Sequence, residues 1–232
     1  MSSSWTHVRR LPVWRSHSAI WSRNICAALR ATLGAGTIMV LLSMQLQATA
    51  LADGVPAAES REPTSNPVTD LFNALSRCQA PLSESERWRL AGAIHQESRR
   101  HGYDPLFVMA MIQVESSCSP TARGERGGVG LVQIKPSTAR AVAKDAGLPW
   151  YGSETLTRPA LNVELALLYL AQLEEQFGDP YLAMVAYNRG PAGVGRMSPQ
   201  RARGARYVKK ILARYEDLTD EAAETASEDA LF

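Results

Sequence analysis

The chain of 232 residues is 45% hydrophobic and 21% charged, with a formal net charge of +2. These values are ordinary for a globular protein, so they exclude a collagen-like, low-complexity or wholly disordered chain. Only one stretch is apolar and long enough to consider as a membrane span, which excludes a polytopic membrane protein.

The first 52 residues have the pattern of a secretory signal peptide. They carry five arginines and no acidic residue, and an apolar run over residues 31–46 precedes two small-x-small sequences within residues 48–52. A basic segment, an apolar segment and a small-residue cleavage site define such a leader. We predict a signal peptide over residues 1–52 and a periplasmic or secreted protein without stable membrane insertion. An uncleaved N-terminal anchor is the alternative.

Three regions of unlike charge follow the predicted leader. Residues 53–69 are rich in proline, serine and small residues and are typical of a linker. Residues 70–215 have a net charge of +6, whereas residues 216–232 contain seven acids and no base. The acidic tail is predicted to be frayed or disordered. The positive middle would attract an anionic polymer or lipid headgroups, or is a mildly basic surface without such a role.

Helical patterns fill the middle region. Ser83 and Glu86 form a capping box at the start of one helix. Asp104 and Pro105 suit the N-cap and first position of the next helix, which is apolar on nearly every side and is predicted to be the central core helix. Later helices are predicted from Pro136 and over residues 161–177, 180–187 and 206–215. We expect a mainly α fold, one domain over residues 70–215, with at most a small hairpin around the glycine-rich loop 119–130.

Few residues after the leader could perform metal or covalent chemistry. Cys78 and Cys118 form an even pair in a protein predicted to be exported, which suggests a disulfide, with two buried thiols as the alternative. His95 and His101 are six residues apart, which does not fit a metal-binding pair, and we expect neither a metal nor a cofactor. The basic residues are not interleaved with aromatic residues as in nucleic-acid-binding proteins, so no nucleic-acid partner is expected.

Glu115 is the strongest candidate for catalysis. It lies at the end of the most apolar predicted helix, beside Ile112 and Val114. Poor solvation and the negative end of the helix dipole both raise a carboxyl pKa, which is what a general acid needs. The alternative is a carboxylate that simply points into solvent. A glycosidase usually needs a second carboxylate. The nearest candidate, Glu125, is predicted to lie in a solvated charged turn instead.

Three short motifs occur in the order found in a known family. They are Glu115-Ser116-Ser117, Gly130-Leu131-Val132-Gln133-Ile134 and Ala186-Tyr187-Asn188. These motifs resemble the E-S, G-L-M-Q and A-Y-N motifs of the soluble lytic transglycosylase (SLT) catalytic domain, over roughly residues 75–215. Val132 replaces the usual methionine, and Cys118 replaces a common aromatic residue, which favours its pairing with Cys78.

The resemblance implies a goose-lysozyme-like (α+β lysozyme-like) helical fold that acts on peptidoglycan. Glu115 would be the single acid and base that cleaves the β-1,4 bond between N-acetylmuramic acid and N-acetylglucosamine and forms a 1,6-anhydromuramoyl product. Ser116 would lie near the muramoyl peptide, with Gln133, Tyr187 and Asn188 along the sugar cleft. Tyr207 would hydrogen-bond near the acid.

Two other functions compete with a lytic transglycosylase. One is a muramidase that uses water on the same fold. The other is a wall-binding or assembly factor without catalysis, serving a secretion or conjugation apparatus. We expect a monomer whose main partner is peptidoglycan.

Overall fold

The computed structural model describes residues 66–229, and nearly all regular structure in that range is helical. Proline opens seven of its nine α-helices, because its fixed φ suits the first helical turn, where its missing N–H is not needed. The elements are α1 (Pro67–Ser76), α2 (Glu84–Arg100), α3 (Pro105–Ser116), α4 (Pro136–Asp145), a 3₁₀ helix (Ser153–Thr157), α5 (Pro159–Phe177), α6 (Pro180–Arg189), α7 (Pro191–Val194), α8 (Pro199–Arg203) and α9 (Arg206–Asp229).

The predicted helix starts at α2 and α3 are confirmed. The Ser83 side chain accepts a hydrogen bond from the backbone N–H of Glu86, and the Glu86 carboxylate accepts one from the backbone N–H of Ser83. At α3, the Asp104 carboxylate accepts from the N–H of Leu106 at 2.8 Å, with Pro105 in the first turn. These caps fix where both helices begin.

The helix α3 is the centre of the core, as its apolar sequence predicts. Every residue from Phe107 to Ile112 is at most 1% exposed. The helix packs against α1, α2 and α9. Burial of each large apolar side chain contributes about 1.5–3 kcal/mol relative to exposure, so this segment holds the domain together.

Two expectations about the ends of the domain need correction. The helix α1 begins at Pro67, inside the stretch predicted as linker. The final helix does not stop at Tyr215 but continues to Asp229, so the stretch predicted as a disordered acidic tail is helical that far. The tail is anchored because Leu218 is buried and Glu221 forms ion pairs with Arg77 and Arg214. The predicted signal peptide lies outside the described residues.

The glycine-rich loop forms a second, smaller core with α4 and α5. The predicted hairpin is reduced to two isolated antiparallel bridges, Arg123 with Val129 and Val129 with Ile134. Val129 and Ile134 pack with Val142, Leu156 and Leu165. Within residues 66–229, no helix combines the length and apolarity that a membrane crossing requires.

A disulfide joins Cys78, just beyond α1, to Cys118, two residues beyond α3. The bridge closes a loop across 40 residues of sequence separation. In the chain-entropy account, a loop of this length stabilises the folded state by about 4 kcal/mol. The bridge therefore ties the C-terminal end of the core helix, where Glu115 lies, to the first helix.

Candidate active site

A cleft of about 430 Å³ opens beside the C-terminal end of α3. One wall is the loop between α3 and α4 with the start of α4, and the other is formed by α5, α6 and the start of α7. The lining residues are Glu115, Gly124, Glu125, Arg126, Gly128, Gln133, Ile134, Lys135, Thr138, Tyr169, Tyr187, Asn188, Gly190 and Pro191.

Glu115 is the less exposed of the two acidic residues that line this cleft. Burial raises the pKa of its carboxyl, while the hydrogen bond from Tyr207 and the positive charge of Arg126 act in the lowering direction and leave the pKa above its usual value. The Tyr207 hydroxyl donates to Glu115 Oε1 at 2.6 Å. The carboxyl is therefore prepared to carry a proton, with a partner that also stabilises the carboxylate.

Tyr207 and Tyr187 remain protonated donors beside the acid. Burial and the nearby charge of Glu115 raise the pKa of both phenols well above the ordinary tyrosine value. Tyr187 donates to the carbonyl of Val132 at 2.9 Å, which joins α6 to the glycine-rich loop. The Tyr187 ring also packs against Tyr169 of α5, with ring centroids 5.6 Å apart. Tyr187 thus connects the two walls of the cleft, while Tyr207 contacts the acid.

Gln133 shapes the loop wall of the cleft through its own side chain. Its amide nitrogen donates to the carbonyls of Gly130 and Ala122, at 2.8 and 3.2 Å. Its amide oxygen fills the space beside Gly124, where a Cβ atom would lie 2.4 Å away. Gln133 therefore lines the cleft and also fixes the curvature of the loop around it.

Asn162 of α5 is a supporting residue to which the sequence assigned no role. It is fully buried, donates to the carbonyl of Val129 at 3.0 Å and accepts from the N–H of Val132 at 3.1 Å. Gly130 lies between these two with φ of +81°, and a Cβ there would come within 2.5 Å of the Asn162 amide. A polar residue on an otherwise apolar helix face was the signal that could have identified it.

Positive backbone φ angles are concentrated around the site. In the described part of the chain, the three non-glycine residues with this conformation are Ser117 at 51°, Cys118 at 70° and Gln133 at 50°. Such residues cost energy and persist where the surroundings determine them. The first two end α3 directly after Glu115, so they turn the chain sharply away from the acid.

The structure gathers most, but not all, of the residues singled out from the sequence. Gln133, Tyr187 and Asn188 line the cleft with Glu115, and Tyr207 contacts the acid directly. Ser116 does not line the cleft. Its hydroxyl donates to the Ile112 carbonyl in its own helix at 3.2 Å.

Two charged residues on the loop wall, Glu125 and Arg126, were missed as cleft residues. Both side chains are exposed, as expected for a charged turn, yet both border the cleft. Sequence spacing alone cannot show that the loop folds back over Glu115.

Together, the helical fold and the order of the motifs around one half-buried acid define an SLT-type domain. Residues 92–210 match the family model described as Transglycosylase SLT domain, and the chain belongs to this family.

Curated relatives share the domain within much longer proteins. A Haemophilus influenzae protein named as a soluble lytic murein transglycosylase is 34% identical over 91 residues, which are 39% of this chain and 15% of the relative. The membrane-bound lytic murein transglycosylase C of Shigella sonnei is 32% identical over 116 residues, 46% of this chain and 32% of the relative. The chain therefore spans a third or less of the length of these relatives.

A solved structure with a similar chain path is the 70 kDa soluble lytic transglycosylase of Escherichia coli. It has a TM-score of 0.48 and 24% identity, covering 68% of this chain and 30% of that one.

Proposed function

We propose that this chain is a lytic transglycosylase that cleaves the β-1,4 bond between N-acetylmuramic acid and N-acetylglucosamine in peptidoglycan. The observation that carries the proposal is the state of Glu115, a carboxyl with a raised pKa at the edge of a cleft and a tyrosine donor on one oxygen. Membership of the SLT family and the murein transglycosylase names of the relatives support the substrate.

In the first step, Glu115 acts as the general acid. Its proton moves to the glycosidic oxygen while the bond between that oxygen and the muramoyl C1 breaks. The N-acetylglucosamine part leaves with the new hydroxyl, and positive charge develops at C1. Burial favours the protonated carboxyl before this step, which is the requirement for an acid that works near neutral pH.

In the second step, the resulting carboxylate acts as the base. It takes the proton of the muramoyl C6 hydroxyl, and the C6 oxygen bonds to C1 to close the 1,6-anhydro ring. Glu115 is then protonated again, and no water has been consumed. The hydrogen bond from Tyr207 supports this half of the cycle, because it stabilises the carboxylate formed in the first step.

The chemistry of the cleft wall also suits the substrate. Arg126 and Lys135 place two cationic side chains along the cleft, and peptidoglycan carries carboxylates on its stem peptides and on lactyl groups that bear no peptide. Gln133 and Asn188 supply amide groups beside them, and Tyr169 and Tyr187 supply aromatic surface. The proposed position of Ser116 near the muramoyl peptide is supported by the family motif alone. The hydroxyl of Ser116 is hydrogen-bonded within its own helix.

One observation favours a second candidate, a muramidase that hydrolyses the same bond. Glu125 borders the cleft together with Glu115, so a second carboxyl is available that could activate water. The two reactions differ in their products. Mass spectrometry of muropeptides released from sacculi is expected to show 1,6-anhydromuramoyl ends, and reducing muramic acid ends instead would establish the hydrolase.

Paired substitutions test the assignment of Glu115. Glu115→Gln keeps the shape and the acceptor for Tyr207 but removes the proton, so wall-degrading activity should fall by about 10²–10⁴-fold. Glu125→Gln is the matched control and should retain activity with an unchanged product. If Glu115→Gln stays active, the catalytic assignment is wrong. A wild-type protein that binds sacculi without cleaving them would indicate the non-catalytic wall-binding factor.

The cellular setting of the proposal follows from the sequence. The predicted leader implies export to the periplasm or beyond, where peptidoglycan is accessible, and the protein is proposed to act as a monomer. Local wall opening for a secretion or conjugation apparatus is one use of such an enzyme. Pull-down of the exported protein with components of such an apparatus would test that association.

A further inference from the structure

A cluster of metal-ligating side chains lies away from the cleft, where α2 packs against α5. It contains Glu97 of α2, His101 at the end of that helix and Glu164 of α5, each offering one ligand atom. These three atoms all lie within 4.8 Å of one another. The pattern was not evident from the sequence, because its histidine pairs with a glutamate four residues earlier and a glutamate on another helix.

The surroundings of Glu97 are independent evidence for a bound ligand at this cluster. The residue is only 6% exposed, and its Oε2 atom has no hydrogen-bond partner among the described residues. A buried carboxylate oxygen that faces a second carboxylate and an imidazole is poorly compensated unless a cation joins them.

The nearby arginine provides only part of that compensation. Arg100 lies 2.9 Å from Glu164 Oε1 and 3.7 Å from Glu97 Oε2, so it reaches Glu164 closely and Glu97 loosely. Its side chain is 58% exposed, whereas those of Glu97 and Glu164 are 8% and 12% exposed. The guanidinium therefore reaches the cluster from the solvent side and can move out when another cation enters.

We propose that Glu97, His101 and Glu164 form a binding site for a divalent transition-metal ion, with Zn²⁺ preferred. The bound ion would link α2 to α5. One imidazole nitrogen with two carboxylate oxygens suits zinc better than calcium or magnesium, which prefer oxygen alone. His101 Nε2 lies 3.9 Å from Glu97 Oε2. Ligand atoms on tetrahedral zinc lie about 3.4 Å apart, so the ion needs ligand shifts of about 1 Å or less.

The consequence is structural, since the cluster is separate from the cleft that holds Glu115. A metal that binds only the folded state stabilises it by mass action. At a hundredfold excess of free Zn²⁺ over its dissociation constant, the midpoint of thermal unfolding should rise by about 5–10 °C. Wall-degrading activity at low temperature should stay the same, so this inference and the proposed function can fail separately.

The test uses the full chain after treatment with a chelator and dialysis. Titration calorimetry with ZnCl₂ and thermal unfolding should show one bound ion in the wild type, lost in Glu97→Gln and in His101→Gln. His95→Gln, which removes the other histidine of α2, is the matched control and should bind as the wild type does. Arg100→Ala should bind more tightly, because the competing cation is gone.

A measurement on the wild type alone keeps the proposal testable even if a variant fails to fold. Co²⁺ added to the metal-free protein should develop the intense visible absorption of a low-coordinate site, and Zn²⁺ should displace it. Far-UV circular dichroism checks that each variant is folded. Failure of the wild type to bind Zn²⁺, a Co²⁺ spectrum like that of the aqueous ion, or undiminished binding by folded His101→Gln would each overturn the proposal.

Discussion

Two regions meet at Glu115, the helix α3 and the loop between α3 and α4, and they are held in different ways. The helix α3 carries the acid and is held by apolar contacts over its central residues, from Phe107 to Ile112. The opposing loop owes its shape to hydrogen bonds made by Asn162, Gln133 and Tyr187. The acid is therefore fixed by packing, while the surface that would receive substrate is fixed by a few polar contacts.

This difference predicts how the helix and the loop each respond to a substitution. Loss of packing should lower the stability of the whole domain, because α3 lies at its centre. Loss of a polar contact in the loop should change the cleft with less effect on the rest of the domain. Four substitutions test the contrast, beginning with the largest expected effect.

Ile112→Ala should lower the free energy of unfolding by about 2–5 kcal/mol, because it leaves a cavity at a fully buried position one turn before Glu115. Urea unfolding measures the loss. Val114→Ala, on the half-buried face of the same helix, is the control and should lose less. Activity of folded Ile112→Ala protein at low temperature should stay near the wild-type value, and a collapse of that activity would contradict the separate roles of the helix and the loop.

Asn162→Ala should lower the free energy of unfolding by about 1–3 kcal/mol, because Val129 C=O and Val132 N–H lose their buried side-chain partner. Because these groups hold the loop wall, activity should fall at temperatures where the protein remains folded. Gln172→Ala, exposed on the same helix, should change neither property. Wild-type activity in folded Asn162→Ala would show that the loop does not depend on this residue for its shape.

Tyr207→Phe should move the pH profile of activity. The tyrosine hydrogen bond lowers the pKa of Glu115, so its removal should raise that pKa further. Activity that requires the protonated acid is lost as pH rises through this pKa, so the alkaline limb of the profile should move to higher pH. An alkaline limb that stays in place or moves to lower pH would show that Tyr207 does not tune the acid.

Glu115→Gln should have the smallest effect of the four on stability, and in the opposite direction. The pKa of Glu115 in the folded protein lies above the ordinary glutamate value of 4.5, so the native state retains a proton that the unfolded chain releases. The wild type therefore loses stability as pH rises from about 4.5 through the folded pKa, whereas glutamine does not titrate. The gain in melting temperature of the variant should grow over that range and vanish below it. A difference independent of pH would contradict this account.

Local signals in the sequence are sufficient to predict most of the fold. The caps at Ser83 and Asp104 and the apolar run of α3 each act within a few residues, so they can be read without knowledge of tertiary contacts. The length of α9 could not be read in this way. Its acidic end is stabilised by Arg77, which is 144 residues away from Glu221 in sequence.

The candidate site also has features that the local sequence predicts and features that depend on distant contacts. The helix-end position of Glu115 indicated a carboxyl with a raised pKa before any contact was known. Its pairing with Tyr207, 92 residues later, was suggested only by the family motifs. The cleft positions of Glu125 and Arg126 depend on how the loop folds back, and that path is set by Asn162 on a distant helix.

The ion pair between Arg77 and Glu221 has a consequence for how the last helix opens. Glu221 lies within α9, three residues beyond the buried Leu218, and the helix continues to Asp229. Fraying of α9 from Asp229 therefore reaches this contact before it reaches the buried core. An arginine that follows the first described helix thus limits how far the last one can unwind.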